Sequence, residues 1–375
     1  WTRALMWLST ALLAWTHVGY PLGGAAVARL RPRPVRAGDV TPTVALVITA
    51  YNEEDVIAAR LENALALDYP SDRLRIVVAS DASSDRTDEI VRSFAGRGVE
   101  LIRAPRGGKV NAQNVAVRRL DAEVLAFSDA NCLWAPDALR RLVRAFADPD
   151  VAYACGRLRL ESPQGTNQEG TYWRLELALR ARESQTGSVT GGNGAIYAVR
   201  RDFYEEVDPR FGHDLSLPYR MVGRGKRAVY VAEAEATEKM STDLEDEFRR
   251  KVRMFGHCWL LVLRGRMFSL RRLGPLYWLQ MVSHRLLRYA SGLLHLALLG
   301  SSLVSGGRGD RGARVLLAGQ GLLGAAAVAS AATGGRVRLL AVAQYYVLVS
   351  LATVLGLVDV VRGVEPVWDK AEGTR

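Results

Sequence analysis

Four stretches of this sequence, residues 4–28, 289–307, 315–335 and 339–358, contain no Asp, Glu, Lys or Arg. Each is long enough to cross a hydrocarbon core of about 30 Å as a helix, where every backbone polar group must be satisfied internally. Their placement constrains everything else: one span near the start and three near the end leave a single polar block, about 40 to 270, to fold as a unit. The first stretch is too long for a secretory signal and shows no persuasive small-residue cleavage pattern, so a signal anchor is expected. It runs into ARLRPRPVRAG, and Arg29, Arg31, Arg33 and Arg36 place the polar block in the cytoplasm by the positive-inside bias. The chain opens on Trp1 rather than Met, which reads as a missing or processed N-terminus.

The net charge of +11 raises the question of nucleic acid, but no nucleic-acid motif is present. The arginines gather beside the apolar stretches, in FRRKVRMFGH and LRGRMFSLRR, where anionic lipid headgroups account for them. LYWLQMVSHRLLRYA carries Arg285 and Arg288 within apolar sequence and is expected to lie flat on a membrane surface. Cys132, Cys155 and Cys258 have no paired spacing, so they read as core residues and not as a disulfide or zinc framework.

Inside the polar block, short apolar runs alternate with helical periodicity. TVALVIT precedes a helix at about 53 to 67, RIVVAS a helix at about 85 to 94, and VELIR a helix over 109 to 120, before EVLAFSD. That rhythm predicts a parallel sheet covered by helices on both faces. Ligands of such sheets sit at the carboxyl ends of the strands. Three of those ends are polar here: TAYNEE at 49–54, SDASSD at 80–85 and SDAN at 128–131. The later part, 150–235, reads as mixed: VAYACGRLRL as a strand, a helix at about 169 to 184, TGGNGAIYAVRR broken by Gly191, Gly192 and Gly194, a short helix from HDLSLPYR, and AVYVAE as a strand. A basic amphipathic helix follows over 241–263.

Asp81 stands on a strand end, where it can accept hydrogen bonds from a ribose or a base edge, while Asp85 reads as a helix cap. Asp129 either begins a turn or holds Mg²⁺ or Mn²⁺ on a diphosphate, which needs only one or two carboxylates besides phosphate oxygens and water. Asn131 offers a carbonyl oxygen without charge. Lys109 follows Gly107 and Gly108 at a helix start, a place for an anion or an ordinary loop, and the spacing is not that of a P-loop. Asp214, next to His213, reads equally as an N-cap or as a general base. Arg250 and Arg253 face either a diphosphate or, as local sequence favours, the lipid surface.

Taken in order, TAYNEE, SDASSD, GGKVNAQN, FSDAN, TGGNGAIYAVRR, HDLSLPYR and FRRKVRM, ahead of C-terminal apolar segments, resemble the membrane-bound family 2 glycosyltransferases, the inverting group that contains hyaluronan, cellulose, chitin and poly-N-acetylglucosamine synthases. The resemblance covers about 40 to 375. It implies a GT-A (nucleotide-diphospho-sugar transferase) α/β domain with a mainly parallel mixed sheet over 40–240, between a transmembrane helix over 1–30 and basic interfacial helices over 241–288. About three transmembrane helices over 289–361 and a tail over 362–375 complete the expected organisation. It further implies that Ala50, Tyr51, Glu53 and Asp81 hold the nucleotide of a UDP-sugar donor, with Lys109, Asp129, Arg250 and Arg253 on the donor's diphosphate side. Asp129 and Asn131 occupy the positions of the family's Asp-X-Asp metal motif, Asp214 that of the catalytic base, and Gly192, Asn193 and Gly194 the acceptor side. The expected partners are the donor, a lipid-linked or growing glycan acceptor, and membrane lipids.

Two departures bear on activity. Where processive members carry Gln-X-X-Arg-Trp, this chain has Arg250 and Met254 in place of Gln and Trp, which argues against polymer synthesis; DAN in place of Asp-X-Asp removes one carboxylate. A non-catalytic sugar-nucleotide scaffold is the alternative in another class, and it is disfavoured because Asp129 and Asp214 are both present. A nucleotidyltransferase would want a Gly- and Arg-rich loop after the first strand, and a transporter would want ionisable residues inside its spans; neither is found. Counting spans puts the tail VWDKAEGTR outside, whereas a re-entrant or interfacial segment would put it inside.

Overall fold

The computed structural model describes residues 1–161, 168–239 and 244–364; the tail over 365–375, with the topology question attached to it, lies outside them. Its centre is an eight-stranded sheet in the order β3-β2-β1-β4-β7-β6-β8-β5. The strands are β1 (Val44–Ala50), β2 (Leu74–Ser80), β3 (Val99–Arg103), β4 (Val124–Asp129), β5 (Leu133–Trp134), β6 (Val151–Glu161), β7 (Tyr197–Arg200) and β8 (Arg227–Lys239). β1 to β4 pair in parallel, as the alternation of strand and helix predicts. Burial explains their unbroken apolar runs: Val44, Leu46 and Ile48 face one core while Ala45 and Val47 face the other.

The sheet changes character at β7, which lies antiparallel between β4 and β6. Tyr197 opens it, paired with Phe127 across β4 and with Cys155 across β6. Its ring stacks on Phe127 at 4.8 Å and on Tyr153 at 5.7 Å, and all three side chains are fully buried. β8 runs parallel to β6, with a register irregularity between Cys155 and Arg157. It is longer than the six residues the pattern suggested, because beyond that irregularity it resumes pairing over Arg157–Glu161 and also pairs with β5.

Outside the sheet, residues 2–30 run helical throughout, with a π turn at Trp15–Gly19. Met6 and Leu13 pack this helix on Leu298 of the helix Ser291–Gly307. Two helices, Arg311–Ala332 and Arg338–Val361, are long and apolar enough to cross a membrane. A third crossing exists if Pro275–Tyr289 and Ser291–Gly307, bent by 64°, count as one. In the first half of that bent pair Arg285 is buried and Arg288 half-buried, and both ion-pair with Glu176 of the helix Gln168–Thr186.

Because Tyr197 fills the space between two strands that carry site residues, Tyr197→Ala should cost about 3–5 kcal/mol of stability. Thermal unfolding of the purified variant measures this, and a melting temperature equal to wild type would show that the stack is not needed.

Candidate active site

The carboxyl ends of β1 and β2 meet through their loops. Asn52, in the left-handed region at φ 53°, accepts from the Ser84 amide at 2.8 Å, and its own amide donates to the Ser83 hydroxyl at 3.1 Å. The Glu53 amide donates to the Thr87 hydroxyl at 2.7 Å, so both loops are held as one rim. Asp85 accepts from the Thr87 amide at 2.9 Å, from one residue before the N-cap position, which Arg86 holds.

Asp81 is fully buried at that rim. Its carboxylate accepts from the Gly107 and Gly108 amides at 2.8 and 2.9 Å and ion-pairs with Arg106. Gly108 has φ 88°, the left-handed region that glycine enters at least cost. The Arg106 guanidinium also lies 3.5 Å from the centre of the Tyr51 ring. Sequence reasoning passed over Arg106, although its place before two glycines was the available signal. It occupies the gap between Tyr51 and Asp81, two residues expected to hold a nucleotide.

At the end of β4, Lys109 ion-pairs with Asp129 and donates to the Gly194 carbonyl at 3.3 Å. This one contact joins the glycine loop, the strand end and the 190–194 segment. The Asn131 amide donates to Glu238 at 3.1 Å. Glu238 was not foreseen; the extension of β8 past its irregularity carries it here. Burial, and then the charge of Asp129, push its carboxyl group above the usual range. Asp129, Asn131 and Glu238 therefore present hard oxygen donors on one side of the site, a set suited to Mg²⁺ or Mn²⁺ that completes its shell with phosphate and water. Among the described residues no three acidic, His or Cys side chains form a ready-made cage.

Asp214 lies in the first turn of the helix His213–Gly223, and its backbone carbonyl accepts from the Gly192 amide at 2.7 Å. Asn193 does not turn its amide group to the site: it donates to the Gly156 carbonyl at 2.6 Å and accepts from the Ala195 and Ile196 amides. Its role is to shape the loop. His213 is buried, and burial ahead of the charges of Lys109 and Arg220 pushes its imidazole down to about 3. It is thus neutral near pH 7, hydrogen-bonded to the Tyr197 hydroxyl at 2.9 Å. Asp129, Gly192, Asn193, Gly194 and Asp214 line one cavity of about 390 Å³, together with Glu238, Arg250 and Lys251. Arg253 is not on its wall, whereas Met254, standing where processive relatives have Trp, is.

This sheet, with Asp129 at a strand end and Asp214 in the first turn of a helix on the wall of one cavity, has the GT-A fold. Residues 45–208 match the family model described as Glycosyl transferase family 2. The chain is 32% identical over 174 residues to a hyaluronan synthase of Streptococcus pyogenes, covering 42% of this chain and 41% of that one. It is 30% identical over 207 residues to a beta-monoglucosyldiacylglycerol synthase of Synechocystis, covering 51% and 42% respectively. The chain thus spans about half the length, or less, of such relatives. The mannosyltransferase PcManGT from Pyrobaculum calidifontis, solved in complex with GDP-Man and Mn²⁺, shares the fold with a TM-score of 0.71 at 22% identity, over 95% of this chain and 98% of that one. Over residues 45–208 the chain is thus similar to glycosyltransferase family 2.

A Cβ on Gly192 would fall 1.9 Å from the buried Tyr153 hydroxyl. Gly192→Ala should therefore lower the melting temperature, at a cost of about 1–3 kcal/mol from overpacking. Adding Tyr153→Phe, which removes the nearest atom, should recover more than half of the loss; no recovery in the double variant would place the strain elsewhere.

Proposed function

We propose that this protein transfers a sugar from a nucleotide-diphospho-sugar, a UDP-sugar by preference, to a hydroxyl of a lipid-linked or growing glycan acceptor, with inversion at the anomeric carbon. The observation that carries this reading is that Asp129 and Asp214, from different elements, open on the same cavity, whose wall continues to Val349 of an apolar helix. Tyr51, Glu53 and Asp81 form the nucleotide end, and Arg106 moves off the Tyr51 ring when a base stacks there. Lys109 and Arg250 face the diphosphate.

In the reaction the acceptor oxygen forms a bond to the anomeric carbon as the bond from that carbon to the diphosphate breaks. The proton of the acceptor hydroxyl passes to the Asp214 carboxylate, and the electron pair of the broken bond leaves on the diphosphate. Asp129, with Asn131 and Glu238 beside it, would hold a divalent cation, which when bound would supply charge neutralisation for that leaving group. Lys109 provides a fixed positive charge at the same place and spans from Asp129 to the Gly194 carbonyl. Met254, exposed on the cavity wall, offers no aromatic platform for a growing polymer, which favours single transfer.

The reading places the catalytic domain on the cytoplasmic face of a membrane crossed more than once. It is supported by the apolar helices and by the arginines over 29–36. A screen of UDP- and GDP-sugars with membranes containing the protein, scored for release of the nucleoside diphosphate, tests the function directly. Asp214→Asn should abolish release by about a hundredfold or more while nucleotide binding is retained, within the range general bases contribute. Normal turnover by that variant would remove Asp214 as the base.

Metal dependence separates the two residues of the DAN segment. Chelation should stop transfer, and Asp129→Ala should nearly abolish Mn²⁺ binding as read by electron paramagnetic resonance. Asn131→Ala should weaken that binding only modestly, and equal effects from both would show that the ion sits elsewhere.

A further inference from the structure

The cavity has a second polar end, away from the nucleotide. Arg180, Arg285 and Arg288 line it together with Glu176. Arg180 and Arg285 are 3% and 7% exposed, so both guanidinium groups are removed from water. The carboxylate of Glu176 is shared among all three, at 3.7 Å from Arg180, 3.5 Å from Arg285 and 2.9 Å from Arg288. It also receives His284 at 3.1 Å. The other acid nearby, Glu183, is taken up by Tyr20, Thr190 and the second nitrogen of His284. Three guanidiniums thus share the Glu176 carboxylate, Glu183 acts on Arg285 as a second negative charge, and donor capacity is left over.

The hydrogen-bond count shows where. Arg285 donates through Nε to the Thr190 hydroxyl at 2.9 Å, while its Nη2 makes no hydrogen bond and meets only the Glu176 carboxylate, at 3.5 Å. Arg180 has both Nε and Nη1 buried without one. A buried donor left unsatisfied costs about 1–3 kcal/mol, more when charged, so the two on Arg180, beside the weakly met Nη2 of Arg285, are a costly arrangement unless an acceptor arrives there. Two forked guanidiniums match the oxygens of a phosphate. The walls around them are apolar: Leu158, Trp173, Phe255 and Val349. An occupant must therefore carry an anionic group and an apolar body together.

We propose that Arg180 and Arg285 bind the phosphate of the acceptor, so that the acceptor is a phosphate-bearing lipid whose free headgroup hydroxyl reaches Asp214. The proposal rests on the reading of this site as a glycosyltransferase. The phosphate is not the nucleophile, since a carboxylate base such as Asp214 serves a hydroxyl. Gly191 fits this arrangement: a Cβ there would fall 2.7 Å from Arg285 Nη2 and close the approach between the guanidinium and the Asp214 loop.

The test uses the full chain in neutral detergent, with binding read by calorimetry. The probes are dioctanoyl phosphatidic acid, dioctanoylglycerol and inorganic phosphate, with UDP and GDP titrated separately. Wild type should bind the phosphate-bearing lipid about tenfold more tightly than its neutral counterpart, and inorganic phosphate far more weakly than either the site or the chain alone would need for saturation. Arg180→Gln should bring the two lipids within about twofold of one another, the loss of a charge-assisted contact. Arg180→Lys, which keeps the charge but not the fork, should lie between, and it serves if Arg180→Gln fails to fold.

Equal affinity of wild type for the two lipids would overturn the proposal, as would a preference that survives both substitutions. Inorganic phosphate binding as tightly as the lipid would assign the site to a free anion. A parallel loss of UDP or GDP affinity in Arg180→Gln would assign the guanidinium to the donor's diphosphate, and would also overturn it. Failure of every nucleotide sugar to react would sink the transferase reading while leaving the lipid preference intact, so the two can fail separately.

Discussion

The antiparallel insertion of β7 between β4 and β6 is the constraint on which the site depends. A sheet that stayed parallel would return each chain segment to the same edge through another crossover helix. By reversing direction, β7 brings the segment over 190–196 to the edge where β4 ends at Asp129. Phe127, Tyr197 and Tyr153 fix the three strands through stacked rings, and His213 closes on the same group edge-on, at 5.6 Å from Phe127. Asp214 follows His213 directly. The two acids that face the cavity are therefore held by one aromatic assembly, and neither needs a rigid loop of its own.

Much of the rim at the carboxyl ends of β1, β2 and β4 could be read from sequence because each feature is local. Three apolar runs with polar ends define β1, β2 and β4, and the acids at those ends have few other places to go. What sequence did not reveal came from long-range placement. Glu238 reaches Asn131 only because β8 continues past its irregularity with β6, a feature with no signature in the run AEAEATEK. Arg180 and Glu176 sit on a helix with mixed polarity, and nothing in their spacing shows that they turn inward to Arg285 from more than a hundred residues away. Asn193 illustrates the reverse. Its place in a glycine-rich segment suggests contact with a ligand, yet its amide is spent on the loop itself.

The pairing of Arg106 with Asp81, and of Lys109 with Asp129, gives each acid a counter-charge from the same short segment over 106–109. The first contact stabilises a buried carboxylate that would otherwise be costly to hold, and the second neutralises the half-buried Asp129. On the proposed donor site the segment would sense both halves of a donor at once, since anything that engages Asp81 or Asp129 competes with one of its two cations.

The stretch between the first helix and β1 is tied down along its length. The Arg33 amide donates to the Gln185 carbonyl at 2.6 Å, and the Arg227 guanidinium donates to the carbonyls of Arg33 and Pro34 at 2.7 and 3.3 Å. Arg36 pairs with Asp148. A strap fastened at so many points works as a ruler. On the proposed membrane orientation, were the helix over 2–30 to stand in a bilayer, the height of the Asp214 carboxylate above the lipid surface would be set by covalent length and not by diffusion of a tethered domain. Acceptors would then be sorted by how far their reactive hydroxyl projects from the membrane, a selection by reach that operates before any pocket recognises a sugar.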